Sequence, residues 1–228
     1  QLSGVGPATE ACFHKLGIFT LRDLLWNFPR TFIDRSQLQN SIYNIADGEI
    51  GTFRLVVEKA KVKHNSATCK DESGNSIDVS FFYGQSRQGM IMASAAMKKL
   101  CNMELDSNVM IVSGKIKHSE QKSVLFNPDV VISPEQTDKL GIEPVYHLTS
   151  GLTQKKVIAA VDAALDAAGE LFSLLPESLP DDVLATLRWP TLVDAFHLAH
   201  KPTSMEETRI DSPSRKRIAF EDLSMQQA

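Results

Sequence analysis

Polar and apolar positions alternate through Ile77-Asp-Val-Ser-Phe-Phe-Tyr-Gly84 with a period of two, which predicts a strand with unequal faces. Ile77, Val79 and Phe81 fall on one side, and Asp78, Ser80 and Phe82 on the other, so Phe82 is a large aromatic on a polar face. Either a second layer of protein or a ligand covers such a ring, and the alternation alone leaves both readings open. Upstream, Phe53, Leu55 and Val57 share one parity, whereas Ala60 and Val62 take the other. That slip predicts a β-bulge at Glu58-Lys59, by which a long strand bends around a small barrel. A short strand near Ser66–Lys70 and a turn at Asp71-Glu-Ser-Gly-Asn75 lead into the Phe82 strand. Two further strands, Val109–Lys117 and Ser123–Ile132, are joined by the polar turn His118-Ser-Glu-Gln-Lys122. Between these pairs, Met90, Met97, Leu100 and several alanines predict a helix within Gln85–Asn102, with the methionines as packing groups.

Five strands, the first bulged, with a helix between the third and fourth, describe an oligonucleotide/oligosaccharide-binding (OB-fold) β-barrel. Helical segments flank it, making the chain α+β. Such barrels bind nucleic acid on the face of strands two and three and in adjoining loops, which is where Phe82 lies. A base stacked there contributes roughly 1–3 kcal/mol. Lys59, Lys61, Lys63, Lys115 and Lys117 are placed to track phosphates beside it.

Ahead of the barrel, a Gly4-Val-Gly6 turn enters a helix that ends at Gly17 after Leu16. A second helix is capped by Thr20 with Asp23 three residues on, presents Leu21, Leu24, Leu25 and Phe28, and stops at Pro29. Gly4 and Gly6 fit a helix-hairpin-helix turn that offers backbone N–H groups to a phosphate, and equally a tight turn that lets two helices pack closely. Arg30–Glu49 reads as a connector. Beyond the barrel, Ser133–Glu143 reads as a polar linker, and Thr153 caps a helix whose Val157, Val161, Ala164, Leu165 and Ala168 form one stripe. His197 and His200 share a helix face without a third ligand, so they read as ordinary helix positions. Arg215-Lys-Arg217 is a basic run entering a final amphipathic helix. The chain thus divides into a helical segment with its connector (1–50), the barrel (51–133) and a linker with helices (134–228).

Composition changes the picture in one respect. The 228 residues, 43% hydrophobic, support a sizeable core, and no apolar run approaches the roughly 20 residues that span a bilayer. Cys12, Cys69 and Cys101 are odd in number and lack ligand spacing, which fits reduced thiols inside a cell and no metal site. The first residue is Gln, so a fragment or processed chain is expected. Net charge is −4, yet Gly51–Lys122 carries 11 Lys and Arg against 7 Asp and Glu, a local +4 within an acidic protein. A solvated charged surface has this look, and so does a confined anion site.

A set of short motifs in order carries a resemblance. Leu2-x-Gly-Val-Gly-Pro7, Leu16-Gly-Ile18, Asp23-Leu-Leu25, Phe28-Pro-Arg30 and Asp34-Arg35 are followed by Phe81-Phe82 and Ser113-Gly-Lys115. Pro144-Val-Tyr-x-Leu-Thr-x-Gly-Leu-Thr-Gln154 and Arg217-Ile-Ala-Phe-Glu-Asp-Leu223 complete the set. Together they resemble, over essentially the whole chain, the region ahead of the motor in RecG-type branched-DNA helicases. The resemblance implies a wedge that splits the arms of stalled replication forks and Holliday junctions in repair and recombination, while a C-terminal motor, driven by ATP with Mg²⁺, acts in cis. It implies aromatics stacked at the branch point, with Phe82 in the place of the family's phenylalanine. The tyrosine expected a few residues later is absent, Ser86 or Arg87 standing near its place, and Tyr83 and Arg87 are the substitutes. The segment from Gln85 to Asn108 is also longer than the family pattern.

No GxxxxGK[ST] phosphate loop occurs, and Ser113-Gly-Lys115-Ile lacks both the upstream Gly and the Mg²⁺-binding hydroxyl. No catalytic triad or carboxylate pair stands out. The expectation is a monomeric DNA-binding module without cofactor, catalytic residues or ATPase activity, off the membrane, in bacterial cytoplasm or a DNA-containing organelle. An OB-fold protein-interaction module and a general single-stranded nucleic-acid-binding module are the alternatives.

Overall fold

The computed structural model describes residues 4–85, 87–120, 122–172 and 177–226. Helices α1 (Pro7–His14) and α2 (Leu21–Leu25) precede strands β1 (Thr31–Asp34), β2 (Leu38–Gln39), β3 (Ile50–Lys61), β4 (Ser66–Lys70) and β5 (Ser76–Ser80). Helix α3 (Arg87–Ser107) leads to β6 (Val109–His118), β7 (Ser123–Phe126), β8 (Val130–Ile132) and β9 (Ile142–Val145). Helices α4 (Gln154–Phe172), α5 (Asp181–Leu187), α6 (Leu192–His200) and α7 (Pro213–Gln226) follow. The chain forms two compact units, one of Arg35–Gly141 and the other of Gln1–Asp34 with Ile142–Ala228.

In the first of these units, β3, β4, β5, β7 and β6 pair in that order and β6 returns to β3, closing a five-stranded barrel. Val57 pairs with Cys69 but Lys59 with Thr68, so Glu58 is the extra residue of a bulge where the parity slips. Alternation fills the barrel with Phe53, Leu55, Val57, Ala67, Cys69, Ile77, Val79, Phe81, Ile116 and Leu125, and α3 adds Ala93, Met97 and Leu100. Met90, expected among the packing residues, is exposed instead: it shares the stripe of Ala93, Met97 and Leu100 but lies in the first turn of α3, one turn before the first helix residue in the barrel core. The single strand expected over Ser123–Ile132 is two, since Asn127 turns left-handed (φ +45°) and Pro128 has no N–H for a ladder. β8 then pairs with β6 instead. The turn passes so close that a Cβ on Gly114 would lie 2.9 Å from Pro128 Cα, which explains the glycine of Ser113-Gly-Lys115. The serine of that motif accepts from Arg35 Nη1 (2.9 Å) and Thr52 Oγ1 (2.9 Å), while Arg35 Nη2 bonds Asp129 (3.0 Å).

The other unit is built on α4, whose Val157, Ala160, Val161, Ala164, Leu165 and Ala168 pack with Phe13, Leu24, Leu25, Tyr146, Phe196 and Ile218. The first and last segments drawn from the sequence therefore contribute to one core. Thr20 and Asp23 form the expected capping box at α2, while α1 ends at His14, one turn before Gly17. Arg30–Glu49 is more than a connector: Phe32 of β1 pairs with Pro144 of β9, and β2 lies parallel to β3. Strands of four and two residues are too short to show a period. The basic run entering α7 is divided, with Lys216 exposed, Arg215 half-buried and Arg217 inside. Arg217 is fully buried, bonding Glu177, Glu221 (2.8 Å) and Ser178 (2.8 Å), because a desolvated guanidinium needs carboxylates around it.

Candidate nucleic-acid interface

Strand register builds the outer face of the barrel. One row of outward positions crosses β3, β4, β5, β7 and β6 as Lys59, Thr68, Asp78, Val124 and Lys117. The next row runs Lys61, Ser66, Ser80 and Phe126. Regular pairing of β5 ends at Ser80, but the chain keeps its alternation: Phe81 is buried and Phe82 is 59% exposed. The backbone of Phe82 is nevertheless fixed, since its N–H donates to Asn127 Oδ1 (2.6 Å) and its carbonyl accepts from Asn127 Nδ2 (2.5 Å). A phenyl ring thus stands in water on a backbone held by a clamp that adds nothing to the ring's burial.

The other candidates separate into groups. Tyr83 has the parity of Phe81 and packs partly against the barrel core, so its ring is not offered with that of Phe82. Arg87 is exposed at the start of α3, and Ser86 lies outside the described residues. Lys59, Lys63, Lys115 and Lys117 are exposed and make no ion pair with any described residue. Lys61 does: its Nζ is 3.8 Å from Asp78, which also accepts from Lys122 (3.2 Å) and Thr68 Oγ1 (2.8 Å). Burial acts to raise the Asp78 carboxyl, but the Thr68 and Lys122 hydrogen bonds and the nearby lysine charges outweigh it, holding the group below the usual carboxylate range. An anion at the centre of the face therefore offsets part of its positive charge, leaving lysines to either side.

Gly4 and Gly6 belong to the other unit. Gly4 has φ +81°, the reason for glycine there, and Gly6 is the N-cap of α1. Leu2 of the same motif lies outside the described residues. The close-packing reading of this turn is not borne out, because a Cβ on either glycine would meet nothing within 4 Å. The donor set is narrow, since Pro7 has no N–H and the Thr9 and Glu10 amides turn back to the Gly6 carbonyl.

Phe126, 49% exposed on β7, was not singled out by sequence. Its outward direction follows only once the strand break at Asn127 and the pairing with Ser80 are known. Tyr43 is a second such ring, exposed and stacked on His118 at 5.6 Å between centroids.

The sequence matches the family described as the RecG wedge domain over residues 2–167. The ATP-dependent DNA helicase RecG of Bacillus subtilis is 26% identical over 237 residues, covering 97% of this chain and 30% of that protein. That of Thermotoga maritima is 26% identical over 225 residues, covering 96% and 27%. The chain therefore spans under a third of these relatives. Among solved structures, RecG bound to a three-way DNA junction superposes with a TM-score of 0.68 at 25% identity, covering 97% of this chain and 29% of that one.

Proposed function

The chain belongs to the RecG wedge domain family, and we propose that it is the branched-DNA-binding wedge region of a RecG-like helicase that remodels stalled forks and Holliday junctions in repair and recombination. The observation that carries this reading is the exposed Phe82, clamped through its backbone beside the lysine-bearing rows of the barrel. A backbone that is already fixed at Phe82 loses little conformational freedom when a base stacks on the ring, so more of the stacking energy is retained as affinity. Lys59, Lys63, Lys115 and Lys117 hold phosphates to either side, and Lys61 exchanges Asp78 for phosphate.

The motor acts in cis in the full-length protein, with ATP and Mg²⁺ bound there. The 228-residue chain is a monomer without ATPase activity and works where the cell keeps its DNA. Among the described residues no helix is long and apolar enough to cross a membrane.

Fluorescence anisotropy with matched oligonucleotides tests the proposal. Forked or four-way DNA should bind more tightly than linear duplex of equal length at equal salt, because a wedge needs a branch to occupy. Affinity should fall steeply as salt rises, whereas a protein-docking barrel would be nearly indifferent to it. Equal affinity for branched and linear DNA would overturn the wedge, and a preference for unbranched single strands would favour a general nucleic-acid barrel.

A further inference from the structure

Phe82 has a neighbour that the family resemblance does not supply. Ser80 pairs with Phe126, and the Asn127 amide donates to the Ser80 carbonyl (2.8 Å), so β7 stays in register with β5 to the point where its strand ends. In a parallel pair such as β5 and β7, a rise of about 3.3 Å per residue and a strand spacing of about 4.8 Å put positions two residues along and one strand across roughly 8 Å apart, within reach of aromatic side chains. Phe82 and Phe126 stand in that relation, both on the outer face and both about half exposed or more. The residue after Phe126 is the one whose side chain grips the Phe82 backbone, so the two rings are mounted on one hydrogen-bonded unit. Lys61 lies in the same outward row as Phe126, three strands away. Tyr83, by contrast, is turned toward the core.

We infer that Phe126 is the second base-stacking platform of this barrel, taking an unpaired nucleobase beside the one on Phe82, with Asn127 as the positioning residue that ties the two together. This rests on the nucleic-acid reading above. Three observations select an unpaired base as the occupant: two rings on a polar face, lysines in the flanking outward positions, and a clamp that fixes the backbone under an exposed ring without burying the ring. A flat aromatic accepts any base, because every base has a π-face.

The test compares the wild-type chain with Phe126→Ala, Phe126→Leu, Phe126→Trp and Phe82→Ala, using a fork and an unbranched oligothymidine. A second fork carries 2-aminopurine at the unpaired position next to the branch. Phe126→Ala and Phe126→Leu should each weaken fork binding roughly five- to hundredfold, as loss of one stacked base does. Phe126→Trp should keep the affinity, and 2-aminopurine quenching should fall in the first two variants only. Should Phe126→Ala fail to fold, the leucine and tryptophan variants carry the comparison, since both keep apolar bulk and only one keeps a flat ring. Wild-type affinity and quenching in Phe126→Leu, with Phe82→Ala impaired, would overturn the second platform and leave the wedge intact. No preference of the wild type for the fork would overturn the wedge. In that event a weakened grip of Phe126→Leu on oligothymidine still supports the platform, and an unchanged one overturns it.

Discussion

Two side-chain amides grip two aromatic residues in the same way, one in each unit, and the rings meet opposite fates. Gln154 accepts from the Tyr146 N–H (3.0 Å) and donates to its carbonyl (2.8 Å), just as Asn127 does for Phe82. Tyr146 is 3% exposed, its hydroxyl bonded to His200 Nδ1 (3.0 Å), while His200 Nε2 donates to the Leu25 carbonyl (2.8 Å). Phe82 is 59% exposed and its ring has no such network. Around Tyr146 the clamp completes a core, because a buried hydroxyl and imidazole are costly unless every polar atom is bonded. Around Phe82 the same clamp gives the folded state almost no burial. What it does is hold the backbone beneath an exposed ring, and that is useful only when something else stacks on the ring.

The comparison breaks most visibly with Tyr146→Ala, which should cost about 3–5 kcal/mol in denaturant unfolding of the helical unit through lost burial and a cavity. Phe81→Ala, next to Phe82 but inward, belongs to the same range for the barrel. A shift below about 1 kcal/mol in either would show that the ring is not part of its core.

The pH dependence of the Tyr146 network comes next. Burial pushes His200 down to about 4 from its ordinary 6.5, against the opposing bond to Leu25. Between those values the unfolded chain holds the extra proton. Stability is therefore full above pH 6.5, falls as pH drops toward 4, and loses on the order of 3 kcal/mol in all. Hydrogen bonds that outweigh burial also hold the Asp71 and Glu177 carboxyls below the usual range, so their contributions are lost at still lower pH. NMR of the His200 ring should show a neutral imidazole at about pH 5.5, and a protonated ring there would dissolve the contrast.

The smallest effect sharpens the comparison most. Phe82→Ala should weaken fork binding by roughly 1–3 kcal/mol while leaving the unfolding midpoint nearly unchanged. If Phe82→Ala instead melts the barrel and Phe81→Ala spares it, the outward face is the core and the strand register is off by one.

Period-two alternation by itself determined the first four barrel strands, the Glu58 bulge and the opposite directions of Phe81 and Phe82, because a pleated strand sets side-chain direction locally. Spacings of three and four residues likewise determined the Thr20 cap and the buried stripe of α4. Tertiary structure decided the rest. Whether Lys61 is free depended on Asp78, two strands away, and whether Arg217 is a surface charge depended on Glu177, forty positions earlier in the chain. Phe126 was invisible as a candidate until Asn127 broke its strand and Ser80 fixed its direction. A side chain's direction is a local property of the backbone, but its partner, its burial and hence its charge state are set by whatever the fold brings across the sheet, and no window along the sequence contains that.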